Sequence, residues 1–445
     1  MTHGPARATS PATRSGRLRL NATALVGARG LTVLLALAQV AVALPYLGAE
    51  QYGAWMLFLA VAAAIHVCDF GIGLATQQAI TEALTRGEPA HARAFARTGA
   101  QWLGGLGGAL LIGGVPFLLA TDWPAWCGLD RVPGDVRHAA LAQCVLTAIA
   151  LPLNMAPRLT AGAQKHWIQA LWGIVGSLLT LGWVAIAART SASLVQMVAG
   201  AAAIAVLQNV GMALHTLTSF GWLRETWPKL MPETRLRLRA ACGGYAIPQI
   251  GQALLQGTPS LALSLAGGPA AVALFNLVQR LLSPFTQAQG LVLASLWPAY
   301  TEASLRGEAA WVRRKFRQSL LLTIFLGIGL ALVVSQAETI ISLWTRQSVA
   351  DFDPQLAWLT AGWLGMIAAA QPFSTLLIGL GRWRDLATAS ALGYPLATAA
   401  CFVGAYSGRP AAVLLGGSVV LAGVFLPALI RRGRAALASI PAREN

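Results

Sequence analysis

Charge is scarce in this chain. Charged residues make up 11% of 445 positions, against about 25% in a soluble globular protein. A soluble surface needs many more charges than this, so a string of soluble domains is excluded. Acids are scarcer still, with 16 Asp+Glu against 32 Lys+Arg, and lysine is confined to Lys165, Lys229 and Lys315. Cysteine is sparse and unpaired. Cys68, Cys144, Cys242 and Cys401 lie in apolar runs and Cys127 is alone in its loop, so no disulfide framework is implied. There is no CxxC pair and no histidine cluster with metal spacing, and neither a metal nor a cofactor is expected. No long polar segment leaves room for a separate catalytic domain.

What is present is apolar. Hydrophobic residues are 56% of the chain and the mean hydropathy is +0.61, which predicts an all-α polytopic membrane protein. A spanning helix needs roughly 20 apolar residues. Twelve such runs are punctuated by Gly, Pro and charge: 20–47, 52–80, 95–120, 137–161, 167–188, 193–220, 240–266, 269–298, 317–336, 356–380, 384–406 and 410–431. The first follows Arg7, Arg14, Arg17 and Arg19; it is too long for a signal-peptide core and has no convincing cleavage site, so it reads as an uncleaved span. The seventh contains Gln249, Gln252 and Gln256 together with Pro248 and Pro259.

The net charge of +16 either meets an acidic partner or orients the chain in a bilayer. Twelve spans put both termini on one side, and that side collects 25 of the basic residues, leaving five on the other: Arg131, Arg137, Arg189, Arg346 and Arg409. By the positive-inside rule both termini are then cytoplasmic. The remaining two, Arg29 and Arg280, fall deep inside spans and are not orientation charges. No nucleic-acid partner is expected; the basic excess is accounted for by orientation.

The chain repeats itself at an offset of 220. Residues 82–97 and 302–317 are identical at eight of sixteen positions, and Gly48 and Gly268 keep the same offset; background composition gives roughly one such identity. This predicts two parallel six-helix halves, 20–220 and 240–431, joined by a basic linker, 221–239, and flanked by basic tails, 1–19 and 432–445. A solute site is expected near the midplane between them.

An ionisable group within a span is costly and faces a cavity or a partner. Arg280 lies about eleven residues into the eighth span, roughly 16 Å deep. Asn276, Gln279, Arg280, Ser283 and Gln287 fall on one helix face, as do Gln249, Gln252 and Gln256 in the seventh span. These two stripes predict a hydrated cavity in the C-terminal half, or else hydrogen bonds that glue the bundle. Arg29 is shallower and within snorkelling reach of the interface. Asp69 and His66 are three apart in the second span. They form a proton or cation site, or Asp69 pairs with an arginine such as Arg29, or Asp69 sits at the wet mouth of the bundle. A structural or conformational role is favoured over coupling. The glycines at 104–108 read as close helix packing. Segments 122–137, with Trp123 and Trp126, and 343–346 read as interfacial aromatic anchors.

The run Glu50-Gln51-Tyr52-Gly53-Ala54-Trp55, then Asp69-Phe70-Gly71-Ile72-Gly73 and Arg86-Gly87-Glu88, resembles the start of polysaccharide-biosynthesis flippases of the O-antigen translocase type. Residues 275–281, 296–300 and 311–314 of the second half resemble them too. That family belongs to the multidrug/oligosaccharidyl-lipid/polysaccharide (MOP) exporter superfamily. The resemblance implies two six-helix lobes around a central cavity. It implies a substrate, an undecaprenyl-diphosphate-linked oligosaccharide, moved across a bacterial inner membrane by alternating access for surface polysaccharide assembly. Partners would be membrane lipids and a polysaccharide polymerase or export machinery. Related flippases carry cavity arginines on their first and eighth helices, where Arg29 and Arg280 stand. Some members have two further helices at the C-terminus, whereas twelve spans are expected here. Two alternatives differ in chemistry. A multidrug/cation antiporter favours acids in its cavity, whereas the spans hold Asp69 against two arginines. A glycosyltransferase or ligase needs a carboxylate set for acid/base or metal chemistry, which the longest outward loop, 120–137, does not supply, so no enzyme is expected.

The topology has a direct check. A reporter active only in the cytoplasm should work when fused after Asn445, and one active only outside should work when inserted at Asp130. The reverse pattern would overturn the orientation.

Overall fold

Hydrocarbon offers a backbone no hydrogen bonds, so a spanning chain must satisfy its own. The computed structural model accordingly forms helices, with no strand among the described residues, which are 11–226, 232–305, 307–345 and 352–440. Residues 1–10 of the basic tail, and Lys229, Arg306, Arg346 and Arg443, lie outside them.

Ten helical segments are long and apolar enough to cross a membrane. Two of these are double crossings. The helix Pro11–Val67 breaks at Gly48 (φ 71°, ψ 170°), and Pro232–Leu305 breaks at Gly268 (φ 70°, ψ −172°). Positive φ with extended ψ is a conformation essentially reserved for glycine, and each break turns one span directly into the next. Twelve crossings result, and the chain is a multi-pass membrane protein.

The repeat is geometric as well as textual. At Gly87 (φ 75°) and Gly307 (φ 72°) the chain leaves a helix by the same device. Glu88 N–H donates to the Ala83 carbonyl and Glu308 N–H to the Ala303 carbonyl, both at 2.9 Å. Such a cap satisfies the last carbonyls of a helix and needs left-handed backbone at the following glycine.

One expected span is discontinuous. The second crossing runs to Val67, loses its helix over 68–71 and resumes as Ile72–Thr85. Phe70 (φ 52°) and Gly71 (φ 84°) both take left-handed backbone there. His66 and Asp69 therefore do not share a helix face. The anchor readings also divide. Trp126 is exposed, but Trp123 is buried against Phe58 and donates to the Leu118 carbonyl at 3.1 Å. Leu343 is exposed, while Trp344 turns inward and donates to the Leu37 carbonyl at 3.0 Å.

The apolar core is divided unequally along the membrane normal. One continuous core joins both halves on the side away from the termini, from Val40, Leu44 and Tyr52 to Leu263, Phe275 and Ile341, and extends toward the termini within the C-terminal half through Leu377, Ala389 and Ala436. On the termini side the halves keep separate cores, one around Ile80, Leu103 and Phe220, the other around Tyr300, Val312 and Phe316. The halves are thus sealed at one face and hold separate cores at the other.

Glycine sets the closest approaches at the seal. A Cβ on Gly53 would stand 1.8 Å from the Pro269 carbonyl oxygen, so the second and eighth spans touch backbone to backbone. Gly107 does the same against Ala148, whereas Gly105 and Gly108 face open space, so only part of the 104–108 stretch packs tightly. Gly53→Val should cost about 2–3 kcal/mol, the scale of overpacking, and Gly105→Ala should be neutral or slightly stabilising. Thermal unfolding in detergent reads the difference; equal melting of the two variants would contradict the contact.

Candidate substrate cavity

A cavity of about 440 Å³ lies between the halves. Its depth follows from the breaks: Arg280 is twelve residues past Gly268, or roughly 18 Å at helical rise, near the middle of a hydrocarbon core about 30 Å thick. Asn276, Gln279, Arg280 and Ser283 form one wall, from the eighth span. Met56, Leu59, Ala60 and Ala63 form the facing wall, from the second. Subtracting the repeat offset of 220 from the first set gives the second set, residue for residue. The two walls are therefore the same surface of the duplicated unit, polar in one copy and apolar in the other. Gln256 and Ser260 of the seventh span and Thr286 of the eighth complete the polar part of the lining.

Arg280 is the cavity's charge. Among the described residues no other ionised group lines it, and no carboxylate lies within 4.0 Å of the guanidinium. Nη1 donates to the Ala36 carbonyl of the first span at 3.2 Å, and Nη2 approaches Met56 Sδ at 3.5 Å. A guanidinium has five N–H donors, so a carbonyl and a thioether leave most of its capacity for whatever enters. Arg280 also reaches across the halves, and it does so beside Trp344, whose bond falls on the next carbonyl of the same helix.

The sequence-predicted residues separate into three places. Arg280, Asn276, Gln279 and Gln256 meet in the cavity, with Asn276 bonded back to the Val272 carbonyl at 2.9 Å. Gln252 is exposed and does not line it, nor does Gln287. Arg29 is exposed in a separate pocket of about 200 Å³ with Thr32, His166 and Gln169. It stands seven residues before Ala36, roughly 10 Å nearer the termini side.

The third place is the break in the second span. Asp69 is buried there, and its carboxylate accepts from Gly71 N–H at 3.0 Å and Gly73 N–H at 2.9 Å. These are the orphan donors of the resumed helix, so Asp69 closes a break that the membrane would otherwise leave unsatisfied. Arg158 Nη2 approaches it at 3.9 Å, and the buried Gln249 of the other half lies near it. The arginine beside Asp69 is thus Arg158, not Arg29. His66 accepts a bond from Asn154 Nδ2 at 2.7 Å. Sequence reasoning missed Arg158 by counting it among orientation charges. It likewise missed the buried Arg93, which holds the Trp222 carbonyl at 2.5 Å and Glu225 at 2.7 Å. It missed the apolar cavity wall because nothing polar marks it.

Asp69→Ala should cost about 3 kcal/mol of stability, since it orphans two buried N–H groups and a charge. Arg158→Ala should cost less than Asp69→Ala, because the pair is long, Arg158 is partly exposed and the buried carboxylate keeps its two backbone N–H donors. Melting curves of the two variants in one detergent decide; a costlier Arg158→Ala would mean the ion pair, not the helix start, is what Asp69 holds.

No protein-family model matches the sequence, and no curated protein matches it. Solved structures do. An inward-facing multidrug resistance MATE family transporter of the MOP superfamily superposes with a TM-score of 0.73 at 16% identity, over 94% of this chain and 99% of that one. An outward-facing structure of such a transporter gives 0.65 at 16% identity, over 93% and 95%. A MOP superfamily transporter from Pyrococcus furiosus, described as having a binding pocket of reverse polarity that suggests a different function, gives 0.62 at 16% identity, over 94% and 95%. The chain has the fold of the MOP superfamily transporters.

Proposed function

We propose that the protein is a flippase for an oligosaccharide linked to a polyprenyl diphosphate, acting by alternating access in a bacterial inner membrane with both termini in the cytoplasm. The observation that carries this reading is the sign of the cavity: its one charged lining residue among those described is Arg280, with no carboxylate in ion-pair range. A diphosphate brings negative charge into a low-dielectric space, and an arginine meets it with paired donors and a charge it never loses. Gln256, Asn276, Gln279 and Ser283 supply neutral hydrogen-bonding groups suited to sugar hydroxyls. Arg29, in its own pocket, is a second anion contact at the approach from the termini side. Asp69 and His66 act structurally, at the break in the second span. The product would feed surface polysaccharide assembly, with a polymerase or export machinery as partner.

A second reading is multidrug transport, favoured by structural neighbours that are multidrug resistance transporters. A lone cation is the wrong sign for binding cationic drugs. The Pyrococcus furiosus neighbour, with its reverse-polarity pocket, supports separating pocket charge from fold.

The test uses a strain that depends on this protein for surface polysaccharide. Arg280→Ala should lower export about tenfold or more, the worth of a charge-assisted hydrogen bond, at an unchanged membrane level. Deleting the gene should leave susceptibility to a panel of cationic drugs unchanged. Normal export by Arg280→Ala would sink the reading; drug hypersensitivity of the deletion would favour the second.

A further inference from the structure

The cavity has an orientation that a simple anion pocket does not need. Arg280 and Gln279 face Ala60 and Leu59, their own counterparts in the repeat. Both walls are set at the same depth by identical glycine breaks, twelve residues from Gly48 to Ala60 and twelve from Gly268 to Arg280. Ser283 likewise faces its counterpart Ala63. A duplicated surface that binds a wholly polar solute would profit from polar groups on both copies. Here one copy is apolar throughout its lining while the other carries the charge and the amides.

We propose that the cavity binds an amphiphile laid across it, with the anionic headgroup on the eighth span and an apolar segment against Leu59, Ala60 and Ala63 of the second. This rests on the anion reading given above and adds what the anion is attached to at the site: a hydrocarbon segment that enters the cavity and does not remain wholly in the lipid. Leu59, Ala60 and Ala63 are then specificity-determining residues, worth their contact area with the chain and contributing nothing to the phosphate. Discrimination between a prenyl diphosphate and a bare diphosphate would come from this wall.

The repeat itself supplies the mutations. Leu59→Gln and Ala63→Ser give the second span the residues of its counterpart, Gln279 and Ser283. Binding of isopentenyl diphosphate and farnesyl diphosphate is measured on the full chain in nanodiscs. The two ligands share a headgroup and differ in apolar length. The wild type should prefer farnesyl diphosphate. Leu59→Gln should cut that preference about tenfold, because it weakens farnesyl diphosphate much more than the shorter isopentenyl diphosphate, whose retained binding also reports an intact fold. Ala63→Ser should act in the same direction, by about twofold. Arg280→Ala should weaken both ligands alike. An unchanged preference in Leu59→Gln, or an equal loss of both ligands, would overturn the orientation while leaving the cation site standing. Unaltered binding of both ligands by Arg280→Ala would instead defeat the anion reading.

Discussion

A guanidinium cannot shed its proton, so a cation placed near the middle of a bilayer must be solvated by whatever surrounds it. Arg280 gets a helix carbonyl from the first span, a thioether from the second and the open cavity. That partial solvation explains much of the arrangement. A cavity of this size has to exist beside it, the eighth span has to present amides along the same face, and the first span has to lend a carbonyl. The ion pair of buried Asp69 with Arg158 is kept away at the break in the second span and leaves the cavity's charge unneutralised.

The seal between the halves has the complementary logic. Its strongest elements are backbone contacts that tolerate no side chain, Gly53 on Pro269 and Gly128 on Ser264. Two side chains of the C-terminal half then bond consecutive carbonyls of the first span, Arg280 to Ala36 and Trp344 to Leu37. The seal and the cavity therefore share a residue. A group that draws Arg280 away from Ala36 loosens one of these two bonds, so the occupant of the cavity and the closure of the far face are not energetically independent.

Much of this was legible in the sequence, for physical reasons. The membrane dictates helix length and charge asymmetry, and duplication dictates repeated turns, so the twelve crossings, the Gly48/Gly268 and Gly87/Gly307 pairs and the depth of Arg280 could all be read. Three things could not. The Asp-Phe-Gly interruption is written in an apolar run, and left-handed backbone at Phe70 has no compositional sign. The three glutamines of the seventh span lie at helical spacing but serve different ends: Gln249 is buried near Asp69, Gln252 is exposed and Gln256 faces the cavity. The apolar wall is invisible to any search for polar residues in spans, although shifting the polar stripe back by the repeat offset points straight to it.

The confinement of charge to one wall has an electrical side. A transmembrane potential does about 2.3 kcal/mol of work per 100 mV on an elementary charge that crosses the whole field. Asp69 and Arg158 are opposite charges close together, so the field pulls on them nearly equally and oppositely. Among the described residues Arg280 has no such counterweight, and it sits partway through the field. Any movement of the eighth span along the membrane normal is therefore felt as voltage when the cavity is empty, and as a different and smaller or opposite charge when an anion lies against it. If the proposed anion is the cargo, the membrane potential acts differently on the loaded and the unloaded molecule, and the side chain that separates the two cases is the one at position 280.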